Sequence, residues 1–430
     1  MSNVVNAIST AQREPLSPER TLLLIGHQTD TVRKAKALGL GVILIQHRDK
    51  FEAVQAELAD VTLIADFTDW SVVAPLAEAA RQIWGYAAAV SLTEPGLEIA
   101  GRINDRYGLG GTGYEPARLL RDKWAMRQHL VAVGAPTVAA RLLDDRAGLS
   151  AFGAEHGYPF VVKPTDLTAG FGILKVTGPD DEDRVWEQVS RLRAVGMDRG
   201  STLYQVQDFL LEEYITGPEF SIEALSFEGR HIVVGITEKS VDPDHFAELG
   251  HAMPARVEPG VEARIVAEVG RFLDAIGIRN GPSHTELRIS PRGPLVIESH
   301  NRVGGGHIGE LVEAAYGIDL ISYTLGWPFR LVEELTERPE PIGGACARAL
   351  LAPPGRVEGI EGIEELRAHP AVLAVDLAAH DGAIVRPMQD NWDRLGLVAV
   401  TAEDTDAAVK LCEDLVATAV AFHMAPSGEV

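Results

Sequence analysis

Residues 1–20 are polar and are broken by Pro15 and Pro18, a pattern that predicts a loose arm. Short, continuously apolar runs follow: TLLLIGHQ (21–28), GVILIQHR (41–48), VTLIADF (61–67) and YAAAVSL (86–92). Runs of this length without polar alternation suit strands buried on both faces of a parallel sheet. Segments 29–39 and 71–84 between them read as helices, so the pattern predicts a doubly wound α/β unit. No GxGxxG follows the first strand, which leaves a dinucleotide site unsupported. The glycine cluster GLGGTG (108–113) reads as turns before a helix at 115–133.

The texture changes near residue 120. A helix and a loop lead to YPFVVKP (158–164), the glycine-bearing loop TAGFG (168–172), the strand ILKV and a helix at 181–194. LEEYITGPEFSIEAL (211–225), HIVVGITEK (231–239), HTELRIS and PLVIESH (284–300) then predict antiparallel strands. From about 341, CARALLA, AVLAVDLA and LGLVAVTA read as short strands before a helix at 405–423.

The segment 284–300 predicts a β-hairpin with Pro291, Arg292 and Gly293 as a three-residue loop. A turn centred on Arg292 sets His284 opposite His300, Glu286 opposite Glu298 and Arg288 opposite Val296. Alternation then gives Leu287, Ile289, Leu295 and Ile297 one face, and His284, Glu286, Arg288, Glu298 and His300 the other. Two facing carboxylates repel at about 5 Å. A divalent cation between them would compensate, and Mg²⁺ takes carboxylate and phosphate oxygens. A half-exposed hairpin with its polar face in water is the plain alternative. Asn301, Arg302 and the run Gly304, Gly305, Gly306, His307 that follow favour phosphate chemistry.

Lys163 ends an apolar strand just before the 168–172 loop, where loop N–H groups can cradle a phosphate. Lys239 closes HIVVGITEK in the same way, and Lys123 opens a helical segment. Around the Gly-Pro turn at 217–218, Glu212, Glu213, Tyr214 and Ile215 form an extended stretch that can face a flat base, and Glu219 can meet ribose hydroxyls. A charged edge strand explains that stretch equally well.

Composition narrows the classes. The 430 residues carry 62 Asp and Glu against 39 Lys and Arg, a net charge of −23, which argues against nucleic acid or an anionic membrane as main partner. A locally basic pocket for a small anion remains compatible with it. The length predicts two to four domains. Only Cys346 and Cys412 are present, too few for a disulfide framework or zinc cluster. Neither a signal-peptide pattern nor an apolar run near the ~20 residues of a membrane span is found, so a cytoplasmic protein is expected.

The series RDKWAMRQHLVAVGAPT, GYPFVVKP, TAGFG, EEYITGPEFSIEA, TELRI, VIESHNRVGGG resembles the ATP-grasp superfamily, and within it the carboxylate–amine ligases of the L-amino-acid ligase type, over roughly residues 20–425. The resemblance implies a mixed α/β and α+β fold. It comprises an arm (1–20), an N-terminal doubly wound parallel-sheet domain (21–114), an ATP-grasp domain (115–335) and a small α+β C-terminal domain (336–430). It implies ATP and Mg²⁺, with Mn²⁺ as an alternative.

The implied roles follow residue by residue. Lys123 and Lys163 would bind ATP phosphates, Thr168, Gly170 and Gly172 would belong to a flap over them, and Glu212, Glu213 and Ile215 would hold adenine. Glu219 would take the ribose, and Glu286 and Glu298, with His300 where the superfamily usually has Asn, the metal. Arg302 would stabilise a reacting acyl-phosphate, with Lys239 as the second catalytic cation. His251 (in AELGHAMPA), Arg288, Gly305 and His307 would lie near the substrate. The implied reaction joins a small carboxylate to an amine through an acyl-phosphate, with no covalent intermediate on either cysteine. Homodimers are common in such a family. A purine-pathway type of enzyme, a ligase acting on a carrier-protein arm and a nucleotide-binding regulator without turnover are the competing readings.

Overall fold

The computed structural model describes residues 6–8, 15–196, 203, 206 and 208–425. Five strands form the first sheet: β1 (Asn6–Ile8), β2 (Thr21–Ile25), β3 (Gly41–Gln46), β4 (Val61–Ile64) and β5 (Ala88–Val90), in the order β1-β4-β3-β2-β5. The last four are parallel, as their unbroken apolar runs require. Leu22 and Leu24 pack against Val32 and Ala35 on one face, and Leu23 and Ile25 against Val73 and Ala77 on the other. The arm differs from expectation where it is described. β1 pairs antiparallel with β4, and Pro18–Arg20 forms a 3₁₀ turn into β2; residues 1–5 and 9–14 lie outside the described residues.

A second, antiparallel sheet contains β6 (Ala140–Leu142), β7 (Phe160–Pro164), β8 (Leu174–Val176) and β9 (Phe209–Glu213), in the order β6-β9-β7-β8. Phe152, Val185 and Val189 of two covering helices pack on Phe160, Val162 and Phe209. The glycine loop at 168–172 joins β7 to β8.

The third sheet carries the centre of the molecule. It uses β10 (Glu219–Phe227), β11 (Arg230–Val241), β12 (Glu248–Met253), β13 (Gly281–Ser290), β14 (Gly293–His300) and β15 (Gly344–Leu350). Beyond β16 (Gly355–Glu361) come β17 (Val372–Leu377), β18 (Ile384–Val385), β19 (Gly396–Ala402) and β20 (Ala421–Met424). The eight-stranded order is β14-β13-β10-β11-β12-β15-β19-β17, with β18-β16-β20 as a small separate sheet. Because β15 pairs with β12, setting His251 opposite Ala347, the sheet runs without a break across residue 336. The helix expected at 405–423 ends at Ala419, where β20 begins two residues later.

The helix Pro259–Ile276 has no counterpart in the sequence reading, although its signals are ordinary ones. Pro259 opens it, Gly277 caps it at φ +84°, and Ile265, Val269, Phe272, Leu273 and Ile276 form one apolar face packed under β10, β11, β13 and β14.

The hairpin differs from expectation in two ways. Ser290 pairs with Gly293, so the loop is the two residues Pro291 and Arg292. His284 faces His300 and Glu286 faces Glu298 as expected, but a register shift after Glu286 pairs Leu287 with Val296 and Arg288 with Leu295. The unpaired residue is Ile297. A bulge of this kind re-aims side chains. It turns Val296 into the core with Leu287 and sends Leu295 and Ile297 to the opposite, polar face. Among the described residues no helix is long and apolar enough to cross a membrane.

Candidate functional site

The second and third sheets face each other across a cleft of roughly 1200 Å³, part of it open to solvent. Val138, Val161, Ile173, Ile215, Phe246 and Ile297 supply its apolar lining. Of the expected residues, Lys163, Thr168, Gly170, Glu212, Glu213, Ile215, Glu219, Lys239, Glu286, Arg288, Glu298, His300, Arg302 and Gly305 line it.

At one end, Lys163 projects from β7 and its Nζ lies 2.6 Å from Glu212 Oε2. Arg127 Nε donates to the other oxygen of Glu212 at 2.7 Å, and its Nη atoms donate to the carbonyls of Val296 and Ile297 at 3.0 and 2.6 Å. All three side chains are buried. Burial alone would raise the Glu212 carboxyl, but Arg127 and Lys163 hold it below the usual carboxylate range. The Glu212 side chain therefore neutralises Arg127 and Lys163, while the residue itself keeps its place in the extended stretch that lines the cleft. Arg127 was missed, although it sits one helical turn after Lys123 on the same helix, a readable spacing.

The stretch that follows keeps the expected shape. Ile215 is buried with Val138 and Leu295. Glu213 pairs with Arg292 at the hairpin tip, 2.5 Å away. Arg288, expected near the substrate, instead ties this hinge together. It donates to the Ile215 carbonyl at 2.8 Å and to Glu219 Oε2 at 3.0 Å, and its guanidinium lies 5.1 Å from the Tyr214 ring centre.

In the middle, Glu286 and Glu298 face each other across the hairpin. Lys239 Nζ meets Glu286 at 2.6 Å, Glu248 at 2.7 Å and Glu219 at 3.0 Å. Burial works against its charge, yet the Glu248, Glu286 and Glu219 carboxylates keep the ammonium well above its ordinary value. Lys123 Nζ lies 3.0 Å from Glu298 and donates to the Leu167 carbonyl at 2.6 Å. Burial opposes ionisation of Glu298, but Lys123 and His300 hold it well below the carboxylate range.

Behind these acids stand two imidazoles. His284 Nδ1 bonds the buried Glu223, and its Nε2 lies 3.2 Å from Glu286. Burial would lower His284, but the Glu223 charge pushes it up to about 9. His300 Nε2 lies 3.4 Å from Glu298, and its Nδ1 is 2.7 Å from Glu94, at an angle short of a formed hydrogen bond. Glu94 also accepts from Arg302 Nε at 2.6 Å. Among the described residues no group of three or more His, Cys, Asp or Glu side chains is placed to hold a metal ion. His300, expected as a third ligand, is turned toward Glu94 instead. The two facing acids alone still suit Mg²⁺, which uses one or two carboxylates and completes its shell with phosphate and water.

The glycine loop sits over the cleft with Ala169, Gly170 and Gly172 in left-handed conformation. Gly172 packs on Pro164 and stays out of the lining. The Asn391 N–H donates to the Ala169 carbonyl at 3.2 Å. Asn391 also exchanges hydrogen bonds with Glu248, at 2.7 and 2.9 Å, and Arg394 Nη1 donates to the Glu248 carbonyl at 2.9 Å. His251 lies fully buried beneath Gly306, where a Cβ would come within 2.8 Å of its Nε2, and neither ring nitrogen has a hydrogen-bond partner. His307, with φ +67°, places Nε2 3.1 Å from Asp376 of the C-terminal segment and lies outside the lining. Glu94, Glu223, Glu248, Asn391 and Arg394 were not singled out from sequence. Glu94 follows the last parallel strand, a position where α/β sheets build sites, so its signal was present. The others gain meaning only from strand register and chain return.

A model of the ATP-grasp domain matches residues 156–310, and a model of the L-amino acid ligase C-terminal domain 2 matches residues 348–423. The chain is an ATP-grasp ligase. As a ligase it is 28% identical to the uncharacterized protein y4rH of Sinorhizobium fredii, over 89% of this chain and 83% of that one. It is 25% identical to an L-arginine-specific L-amino acid ligase of Bacillus subtilis, over 77% of this chain and 79% of that one. The crystal structure of an L-amino acid ligase from Bacillus licheniformis superposes with a TM-score of 0.78 at 22% identity, covering 95% of this chain and 99% of that one, and so shares the fold.

Proposed function

We propose that this ligase joins an amino acid, or a similar small carboxylate, to an amine that is often a second amino acid. The observation that carries the reading is one cleft in which Glu286 and Glu298 face each other among Lys123, Lys163, Lys239 and Arg302. A triphosphate needs charge neutralisation and positioning more than covalent help. Lys123 and Lys163 are its phosphate cations, the loop at 168–172 its cover, the 213–215 stretch its adenine slot and Glu219 its ribose acid. Glu286 and Glu298 would hold Mg²⁺, or Mn²⁺ in its place, which when bound neutralises charge on the transferring phosphoryl group.

A substrate carboxylate oxygen attacks the γ-phosphorus of ATP and ADP leaves. The amine then attacks the acyl carbon, loses a proton, and phosphate departs carrying the carboxylate oxygen. Arg302 stabilises the reacting acyl-phosphate, and the flap shields it from water. Glu248, Gly305 and Arg394 line the end that selects substrates, with His251 buried behind Gly306 and out of the lining. The reaction is assigned to the cytoplasm. Phosphate release with paired amino acids and amines, followed by product mass spectrometry, tests the reading. Release that needs both partners is expected. No dependence on them across an amino-acid panel would sink it.

A further inference from the structure

The two acids that face each other are each backed by an imidazole, and each imidazole by a buried carboxylate on a different element. Glu223 of β10 bonds His284 Nδ1, and His284 Nε2 reaches Glu286 at 3.2 Å. Glu94, from the loop after β5, lies 2.7 Å from His300 Nδ1, and His300 Nε2 lies 3.4 Å from Glu298. The two rings face each other in register, 6.2 Å apart and 22° from parallel. Glu223 reaches further, because its second oxygen accepts the Gly304 N–H at 3.2 Å and so fixes the start of the glycine run. Packing alone does not call for this arrangement. Two buried acids, Glu94 and Glu223, behind two partly exposed ones cost more than apolar residues of the same size would.

We propose that Glu223–His284 and Glu94–His300 are positioning pairs that hold Glu286 and Glu298 apart and aimed, so that a divalent cation enters a preset pair of carboxylates. The inference rests on the metal reading of Glu286 and Glu298 given above. An outer carboxylate behind an imidazole commonly fixes the ring and, through it, the acid in front. Glu94 adds a second consequence: the N-terminal sheet becomes part of the cation site, and through the Glu94–Arg302 bond it reaches the reacting end as well.

The test uses the full-length ligase. Mn²⁺ binding in the presence of ADP is followed by electron paramagnetic resonance, and ADP binding without divalent cation by calorimetry. Glu223→Gln and Glu94→Gln are each expected to weaken Mn²⁺ by about 10-fold or more, with cation-free ADP binding within about twofold of the parent. Glu223→Gln combined with His284→Gln should be no weaker than His284→Gln alone, because the pair acts as one unit. If Glu223→Gln does not fold, Glu94→Gln and His300→Asn carry the same comparison. Unchanged Mn²⁺ affinity in these variants, or equal loss of Mn²⁺ and of cation-free ADP binding, overturns the proposal. Glu286→Gln and Glu298→Gln serve as controls. If they leave Mn²⁺ binding intact, the metal reading itself falls, whereas loss in the controls alone removes only the positioning pairs.

Discussion

The two ends of the cleft are built on opposite plans. At the end proposed for the nucleotide, charge meets charge at short range: Lys163 and Arg127 share Glu212 at 2.6 and 2.7 Å, and Lys123 meets Glu298 at 3.0 Å. At the far end, His251 is fully buried with both ring nitrogens unpartnered, and the surrounding groups come from three distant stretches, 248–251, 304–307 and 390–394. At the first end every charged side chain named has an opposite charge within 3.0 Å. At the second, Glu248 is paired with Lys239 and Asn391, and the His251 ring nitrogens stay without partners.

Glu298→Gln should have the largest effect. Phosphate release should fall by roughly 100- to 1000-fold, while thermal unfolding shows a folded protein. Near-parental turnover would mean that the facing acids do not carry the chemistry.

A second test probes how closely the far end is packed. Burial depresses His251 to about 4, below its unfolded value of about 6.5. The unfolded chain therefore binds the extra proton first as pH falls. His251 contributes stability that is present in full above about pH 6.5 and is lost as the pH drops through 4, at most about 3 kcal/mol. His27, buried at the end of the N-terminal sheet and also lowered to about 4 by burial, adds a similar acid-side loss. Denaturant unfolding between pH 7 and 4 should show a shallower fall for His251→Gln and for His27→Gln than for the parent. An unchanged slope in His251→Gln would mean that water reaches the far end.

Asn391→Ala removes the side-chain exchange with Glu248 and leaves the backbone bond to Ala169. A rise of about two- to fivefold in the KM for the carboxylate, with the KM for ATP unchanged, is expected from loss of one such hydrogen bond. An equal rise for ATP would erase the distinction between the ends.

The same division decides what could be read from the chain. Lys163, the 168–172 loop and the facing Glu286 and Glu298 are local in sequence, so strand alternation and turn chemistry suffice to find them. The bulge at Ile297 was not legible, because nothing in PLVIESH marks which residue loses its partner, and it moved Leu295 and Ile297 to the opposite face. Arg288 looked free on the polar face of a hairpin, yet its partners Glu219 and Ile215 lie about seventy residues earlier. Asn391 and Arg394 reach the cleft only because β15 and β19 extend the central sheet and return the chain to the flap. The parallel sheet was legible for the opposite reason: each strand's burial on both faces is written in its own residues.

In the proposed reaction the substrate carboxylate is activated by phosphoryl transfer in the cleft between the second and third sheets. The direct measurement uses a carboxylate substrate labelled with ¹⁸O on both oxygens, an amine and ATP, with mass analysis of the phosphate released. One ¹⁸O is expected in each phosphate formed alongside ADP. Unlabelled phosphate, or pyrophosphate in place of phosphate, would contradict it.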